Sequence, residues 1–384
     1  MIRILYISPG CFDKGGISRY NRYQISALRE LCGAPQVKVA SVHPRAAGDF
    51  EDPFDVDYCG RGVSAISKIL FFLVVLRTVL FWRPAIVWVG HVNLSGMAVW
   101  LAKLTGARVV LNTYGLEVWS GLRSDARYGL RSAHVVLSDC HFTARYLEES
   151  GYREKGSVPV IWDCIDLKKF YPAQQPVQAE ILTRYALPDP RQHPWIVTLG
   201  RLSSGAMHKG YDRLIRVFGE VARQHPSCVL VIGGKGDQAG ALKALGDQTG
   251  FGHRIFFTGM VHEDDLAALY RMGSVFSLVS DRGIGRGEGI PLTPLEAMAC
   301  GVPIIVGNDD GSQEAVVEEK NGWVINPHAL ETHAEILLAL LKDENLRQQK
   351  AVAAVEVAKQ FFSYPIFVEK HRQLLNALNP DWNG

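Results

Sequence analysis

The sequence predicts an α/β protein of two doubly wound domains with a cleft between them. Three observations predict it. The chain has 384 residues, enough for two domains of ordinary size. Short β-rich runs alternate with longer helical patterns, as parallel sheets require. A polar stretch from about Leu167 to Pro194, with Pro172, Pro176, Pro188, Pro190 and Pro194, splits the alternation into two series and reads as a linker.

In the first series, strands are expected at Ile2–Ser8, Val37–Val42, Ile86–Val89, Val109–Thr113, Val135–Ser138 and Val158–Ile161. Helical patterns lie between them, as at Ile17–Leu31 and Phe142–Glu149. The second series places strands at Trp195–Leu199, Cys228–Ile232, Ile255–Thr258, Val275–Val279 and Pro303–Val306. Its helices include Tyr211–Arg223 and Glu263–Arg271, and the tail from Pro365 to Leu378 is helical with Phe367, Leu374, Leu375 and Leu378 apolar. Ligands of such sheets bind outside the carboxyl ends of the strands.

The formal charge is +2 with both signs well mixed, so no polybasic arm marks the chain for nucleic acid. Seven scattered cysteines, Cys11, Cys32, Cys59, Cys140, Cys164, Cys228 and Cys300, include no C-x-x-C pair. Reduced thiols and a cytoplasmic location are the expectation. The first residues read as a buried strand and lack the charged start and cleavage site of a signal peptide. The apolar segment Ile66–Trp82 contains Lys68 and Arg77 and falls short of the roughly 20 apolar residues of a spanning helix. It is either a buried core helix or a helix docked on a membrane surface, with Lys68, Arg77 and Arg83 at the headgroups.

The most informative stretch runs from Gly287 to Pro303. Glu288 stands in a Gly-rich turn between Gly287 and Gly289. Glu296 lies near the start of the helix entered through Leu292 and Thr293. A helix start holds anions through its free N–H groups and dipole. Carboxylates beside it would repel an anion but accept hydrogen bonds from hydroxyls, and a ligand with both features is a nucleotide-sugar. Thr293-Pro294-Leu295-Glu296 is equally a capping box, with Thr293 as N-cap, and this alternative needs no ligand.

Other loops at strand ends are candidates too. Gly15-Gly16 closes the loop from Pro9 after the first strand, suited to a phosphate or to close approach of a sugar, or simply a turn. Arg201 and Lys209 bracket a loop at the carboxyl end of Trp195–Leu199, where two cations would stabilise a diphosphate leaving group. Gly233-Gly234-Lys235-Gly236 could border a nucleotide base or be an ordinary Gly loop. Asp55-Val56-Asp57 is a D-x-D, a pair that can hold a metal, but it stands alone near a predicted turn; Asp309-Asp310-Gly311 reads as a turn or as a contact to the donor sugar. No His/Cys grouping has metal-ligand spacing, so no metal is expected.

Taken in order, the Gly-Gly loop, Gly200-Arg201 with Lys209-Gly210, and Glu288 and Glu296 with Ala297-Met298-Ala299-Cys300-Gly301-Val302-Pro303 resemble the retaining glycosyltransferases of family four over essentially the whole chain. That resemblance implies the GT-B fold of two Rossmann-like domains. Residues 1–172 would bind the acceptor, with 362–384 as a helix crossing back to them, and 173–361 would bind the nucleotide-sugar donor. It further implies Glu296 on the ribose hydroxyls and Glu288 on hydroxyls of the donor sugar. Arg201 and Lys209 would hold the diphosphate, Gly15 and Gly16 would approach it, and Gly289, Leu292 and Thr293 would complete the donor site. No metal or other cofactor is implied.

Three positions depart from the family pattern. Tyr114, in Asn112-Thr113-Tyr114-Gly115-Leu116-Glu117, stands where a His near the reacting sugar is common. His91, Tyr114 and Glu117 are therefore the candidates for the acceptor or sugar pocket. Asp163-Cys164-Ile165-Asp166 replaces Asn-Gly-Ile-Asp, and Glu288-Gly289-Ile290-Pro291 replaces Glu-Gly-Phe-Gly, where Pro291 offers no N–H.

The resulting expectation is a retaining, metal-independent hexosyltransferase. It would move a hexose from a UDP- or GDP-sugar to a saccharide or lipid-linked acceptor, in polysaccharide or lipopolysaccharide biosynthesis. Its place would be the cytoplasm, at the inner membrane face if Ile66–Trp82 docks there. The alternatives are a same-fold sugar-nucleotide epimerase and a catalytically silent sugar- or partner-binding subunit.

Overall fold

The short apolar runs become parallel strands because both faces of each are covered, so polar alternation is not needed. A computed structural model describes residues 2–13, 15–45, 54–172, 178–283 and 285–380. Lys14 of the Gly15-Gly16 loop, Pro176 with residues 173–177 of the expected linker, and the end of the 362–384 segment lie outside them. In chain order the elements are β1 (Ile4–Ser8), α1 (Gly16–Cys32), β2 (Val37–Ser41), β3 (Tyr58–Cys59), α2 (Ala65–Arg77), β4 (Ile86–Val89), α3 (Ser95–Lys103), β5 (Arg108–Thr113), α4 (Leu116–Trp119), α5 (Ser124–Ser132), β6 (Val135–Ser138) and α6 (His141–Glu149). Then follow α7 (Ala179–Arg184), β7 (Trp195–Leu199), α8 (Tyr211–Gln224), β8 (Val229–Gly233), α9 (Ala239–Gln248), β9 (Ile255–Gly259), α10 (Leu266–Arg271), β10 (Gly273–Leu278), α11 (Leu292–Ala299), β11 (Ile304–Gly307), β12 (Gly322–Ile325), α12 (Leu330–Lys342), α13 (Glu344–Phe361) and α14 (Tyr364–Leu378).

The chain forms two compact units, Met1–Cys164 with Tyr364–Gly384, and Ile165–Ser363. The division falls at Cys164 rather than at 172. Ile165 donates its N–H to Phe362 (2.8 Å), and Arg271 holds the carbonyls of Tyr171 (2.7 Å) and Lys169 (3.1 Å), all within the second unit. Each unit has one six-stranded parallel sheet, ordered β3-β2-β1-β4-β5-β6 and β12-β11-β10-β7-β8-β9. The order reverses beside β1 and beside β7. The loops after β1 and β4, and those after β7 and β10, therefore flank the switch points where doubly wound sheets bind ligands.

Two strands escape the sequence reading. β3 has two residues and β12 four, too few to display a period. Val158–Ile161 was expected as a strand but makes only an isolated bridge, Val160 to Ser138. The expected helix Glu263–Arg271 opens with a 3₁₀ turn over Glu263–Asp265 before α10.

Alternation along β1 builds two cores in the first unit. Leu5 and Ile7 join Val87, Val89 and the inward residues of α2, while Ile4 and Tyr6 join Tyr20, Trp88 and the α14 residues Phe367 and Leu375. The second core encloses a polar network. The Tyr6 hydroxyl sits 2.7 Å from both Asn21 Oδ1 and Gln24 Oε1, Asn112 Nδ2 donates to Gln24 Oε1 (2.6 Å), and Trp88 Nε1 donates to Asn112 Oδ1 (3.0 Å). α14 joins through His371, whose ring nitrogens meet Gln24 Nε2 (2.8 Å) and the Phe367 carbonyl (2.7 Å). The neutral tautomer fits, with Nε2 accepting from Gln24 and Nδ1–H donating to Phe367.

The segment Ile66–Trp82 is not a buried core helix. α2 continues through a π-helical turn, Thr78–Trp82, until Arg83 takes a left-handed φ of 51°. Only the stripe Ser67, Phe71, Val75 and Val79 is buried, with Phe72, Leu76 and Trp82 half-buried against the same core. By length and composition Ala65–Trp82 is apolar enough to cross a membrane, yet 22% of it is buried.

Burial pushes the His371 imidazole down to about 4, and burial likewise takes His333, bonded to Ser277 in the second unit, to about 4. Both are neutral when folded and titrate near 6.5 once unfolded. Their contribution is thus fully present above pH 6.5 and is lost as the pH falls toward 4, by up to about 3 kcal/mol each. Urea unfolding across this range should show the decline, and His371→Gln should flatten it. A variant as pH-sensitive as the parent would refute the assignment.

Candidate active site

The loops after β7 and β8 interleave because three glycines let their backbones touch. A Cβ on Gly234 would stand 1.8 Å from the Gly200 carbonyl oxygen, and one on Gly236 would stand 2.1 Å from Leu202 O. Gly200 in turn leaves room for the Tyr211 hydroxyl, which a Cβ would approach to 2.4 Å. Pairing continues past the strands, with Leu202 N donating to Lys235 O (3.0 Å) and Ser204 N to Asp237 Oδ1 (3.0 Å). A 3₁₀ turn, Ser204–Lys209, ends at Gly210 with φ 78°, and the chain reverses there into α8. This turn leaves Arg201 exposed but carries His208 and Lys209 inward.

Glu288 meets them from the loop after β10. Its Oε1 lies 2.8 Å from Lys209 Nζ and 2.5 Å from His208 Nε2. Burial by itself would raise this carboxyl, but Lys209 and His208 outweigh burial and hold it down at about 2. Glu288 is thus ionised at any working pH. Its backbone is fixed as well. Glu288 N donates to Asp310 Oδ2 (3.0 Å), and Gly311 N donates to Glu288 O (3.1 Å). Asp310 is fully buried, and burial lifts its carboxyl to about 6 against the opposing bonds from Ser312 and Ser280. Behind the loop, Arg213 pairs with Asp281 (3.2 Å) and donates to the carbonyls of Val279 (3.0 Å) and His208 (3.2 Å).

The capping box is not formed. α11 begins at Leu292 with Pro291 as its N-cap and no side-chain cap, so Thr293 is already helical. The N–H groups of Leu292 and Thr293 belong to its first turn, while Pro294 contributes none. Glu296 lies a turn deeper, buried, and its Oε2 accepts from the Tyr270 hydroxyl (2.9 Å). Gly289 is half-buried between Glu288 and this helix.

In the first unit, Gly15 and Gly16 are exposed at the entry to α1, and a Cβ on Gly16 would meet nothing within 4 Å. Neither packing nor backbone angle demands a glycine at Gly16. Tyr114 is buried, and its hydroxyl belongs to the core network, 2.7 Å from Asn21 Oδ1, 3.1 Å from Asn112 Nδ2 and 3.2 Å from the Gly90 carbonyl. Glu117 accepts from the N–H of Tyr114 (2.6 Å) and of Gly115 (3.3 Å), fixing the loop after β5. His91 caps a 3₁₀ turn by accepting from Asn93 N (3.2 Å), and burial lowers its pKa. Asp57 of the D-x-D accepts from Val39 N (2.7 Å), a cap on the strand edge.

The structure therefore gathers Glu288, Lys209 and the start of α11 at the second switch point, with Glu296 behind them. Sequence reasoning assigns no role to His208 or Tyr270, and reads Asp310 as part of a turn that could touch the donor sugar. Position beside Lys209 was the one available signal for His208, and Asp310 resembled an ordinary Asp-Asp-Gly turn.

Two parallel Rossmann-like units with charged loops at the carboxyl ends of their sheets make this a GT-B architecture. Solved structures share it. Sucrose-phosphate synthase from Thermosynechococcus elongatus matches 100% of both chains with a TM-score of 0.75 at 18% identity. HepE of Anabaena, in complex with UDP, matches over 98% of this chain and 100% of its own with a TM-score of 0.79 at 15% identity. Residues 184–356 match the family described as glycosyl transferases group 1, and residues 15–160 the glycosyl transferase 4-like domain. A GDP-mannose-dependent alpha-(1-6)-phosphatidylinositol monomannoside mannosyltransferase of Mycobacterium tuberculosis is 31% identical over 265 residues, 67% of each chain. The corresponding enzyme for the monoacylated lipid in Corynebacterium glutamicum is 27% identical over 297 residues, 76% of each chain. The chain belongs to the group 1 glycosyltransferases.

Removing one member of the Lys209–Glu288 pair strands a buried charge. Lys209→Met should therefore cost about 3 kcal/mol. Glu288→Gln combined with Lys209→Met should cost clearly less than the two single changes added together. Strict additivity in chemical denaturation would mean that the two side chains are not coupled.

Proposed function

We propose that the protein is a retaining, metal-independent hexosyltransferase acting on a nucleoside-diphosphate sugar, with GDP-mannose the first donor to test. The acceptor is a hydroxyl of a saccharide or lipid-linked glycan, in cell-surface polysaccharide assembly on the cytoplasmic side. The observation that carries this reading is the ionised Glu288 held beside Lys209 at the start of α11. Positive charge from Lys209 and Arg201, with the N–H groups of Leu292 and Thr293, suits a departing diphosphate without a cation. Glu288 suits hydroxyls of the transferred sugar, and Glu296, steadied by Tyr270, suits the ribose diol. The open space at Gly16 suits close backbone approach of a ligand. The donor choice rests on the mannosyltransferase relatives, which span two thirds or more of both chains. Seven cysteines that form no disulfide suit a reducing compartment.

In the proposed reaction the acceptor oxygen bonds to the anomeric carbon on the face that the phosphate leaves. The C–O bond to the diphosphate breaks, and the acceptor proton passes to the departing phosphate oxygen. Every proton is accounted for without a protein base. Glu288, held at about 2, accepts hydrogen bonds from hydroxyls rather than donating a proton.

A thermal-shift panel of UDP, GDP and their sugars tests the donor. Ligand at 100 times its dissociation constant should add about 2.7 kcal/mol. GDP and GDP-mannose should shift the melting temperature with or without EDTA, and Glu296→Gln should weaken that shift while the apo protein melts as before. Shifts from UDP ligands alone would reassign the donor, and EDTA sensitivity would reject the metal-free reading. NMR of the product should show the anomeric configuration of the donor, and inversion would overturn retention.

A further inference from the structure

The outer face of α2 and its π-turn is apolar, yet none of the described residues of the unit covers it. Ile66 is 72% exposed, Ile69 59%, Leu73 50% and Phe81 82%. A helix apolar all round normally sits in a protein core or in lipid. Here the inward stripe of Phe71, Val75 and Val79 already fills the first core, while the residues of the outer face recur at helical spacing on the opposite side. The π-turn shifts the register so that Leu80 and Phe81 also point outward. α3 extends the face. Trp100 is exposed, its ring 6.2 Å from Phe72, and Leu104 is exposed one turn further on.

Charge identifies the occupant. From Tyr58 to Leu116 the chain contains no Asp or Glu, but it contains Arg61, Lys68, Arg77, Arg83, Lys103 and Arg108. Arg77 follows Leu73 on the outer face, and Lys103 follows Trp100 on α3. A second copy docked isologously would set this cationic rim against itself. An anionic bilayer offers a surface complementary in both polarity and charge. The anchored stripe also decides the geometry. With Phe71, Val75 and Val79 fixed in the core, the helix cannot thread a bilayer and must lie in its plane.

We propose that α2, its π-turn and the Trp100–Leu104 end of α3 form a monotopic docking face for anionic lipid membranes, independent of the donor reading. Flotation of the full chain with phosphatidylcholine vesicles, with and without phosphatidylglycerol, tests it. The protein should float with the anionic vesicles and be released by high salt. Ile69→Ser/Leu73→Ser/Phe81→Ser should reduce the bound fraction about tenfold. Lys68→Glu/Arg77→Glu should remove the preference for phosphatidylglycerol. Phe81→Ser alone, at the most exposed position, should weaken binding at an unchanged melting temperature. Failure of the parent to float, or equal flotation of the triple variant, would overturn the proposal. So would a lipid-free dimer in sedimentation velocity that the triple variant dissociates, since a second copy would then be the occupant.

Discussion

His208 and Lys209 come from the loop after β7, Glu288 comes from the loop after β10, and the one carboxylate between them holds both loops over the carboxyl end of the second sheet. Enclosed ion pairs of this kind add little stability over apolar packing, because desolvation consumes most of the attraction. Their use is geometric. The carboxylate has to sit where both donors reach it, so the path of two loops is fixed together. The rest of the site follows from this constraint. Gly210 must take a left-handed angle to turn His208 and Lys209 inward, and Asp310 must hold the Glu288 backbone. Gly200 and Gly234 must lack side chains for the adjacent loops to close.

Much of this was legible in the sequence. Buried parallel strands are continuous apolar runs, so β1, β4, β6 and β7 stand out, and loops at their ends inherit a functional position from topology alone. Glu288 and Lys209 were readable as site candidates for that reason. The partners of Glu288 were not. His208 and Asp310 meet it across 80 and 22 residues of chain, and no local spacing encodes such pairings. The capping box fails for a related reason. Thr293-Pro294-Leu295-Glu296 has the right local chemistry, but the helix starts two residues earlier, at Leu292 rather than Pro294, and Tyr270 binds the glutamate instead. Helix α2 defeated periodicity from the other side, because a segment apolar on every face does not reveal which face is covered.

Tyr114 stands where the resemblance led us to expect a histidine in the sugar pocket, and its phenol lies in the core instead. It ties the loop after β5 to Asn21 of α1 and to the Gly90 carbonyl after β4. Two loops and a helix at the first switch point are thereby held by a single hydroxyl. Polar networks of this kind define one arrangement sharply when every member is satisfied.

The return of α14 to the first unit also bears on synthesis. The polar network closed by His371, and the apolar surface covered by Phe367 and Leu375, lie in a core whose other members are translated before position 165. A ribosome must therefore make all of Ile165–Ser363 before the amino-terminal core can be sealed. While it does so, Trp88 and Tyr20 lack their α14 partners. The nascent chain has a late checkpoint of its own, since a message cut short near its end yields an intact second sheet beside a first one that cannot close.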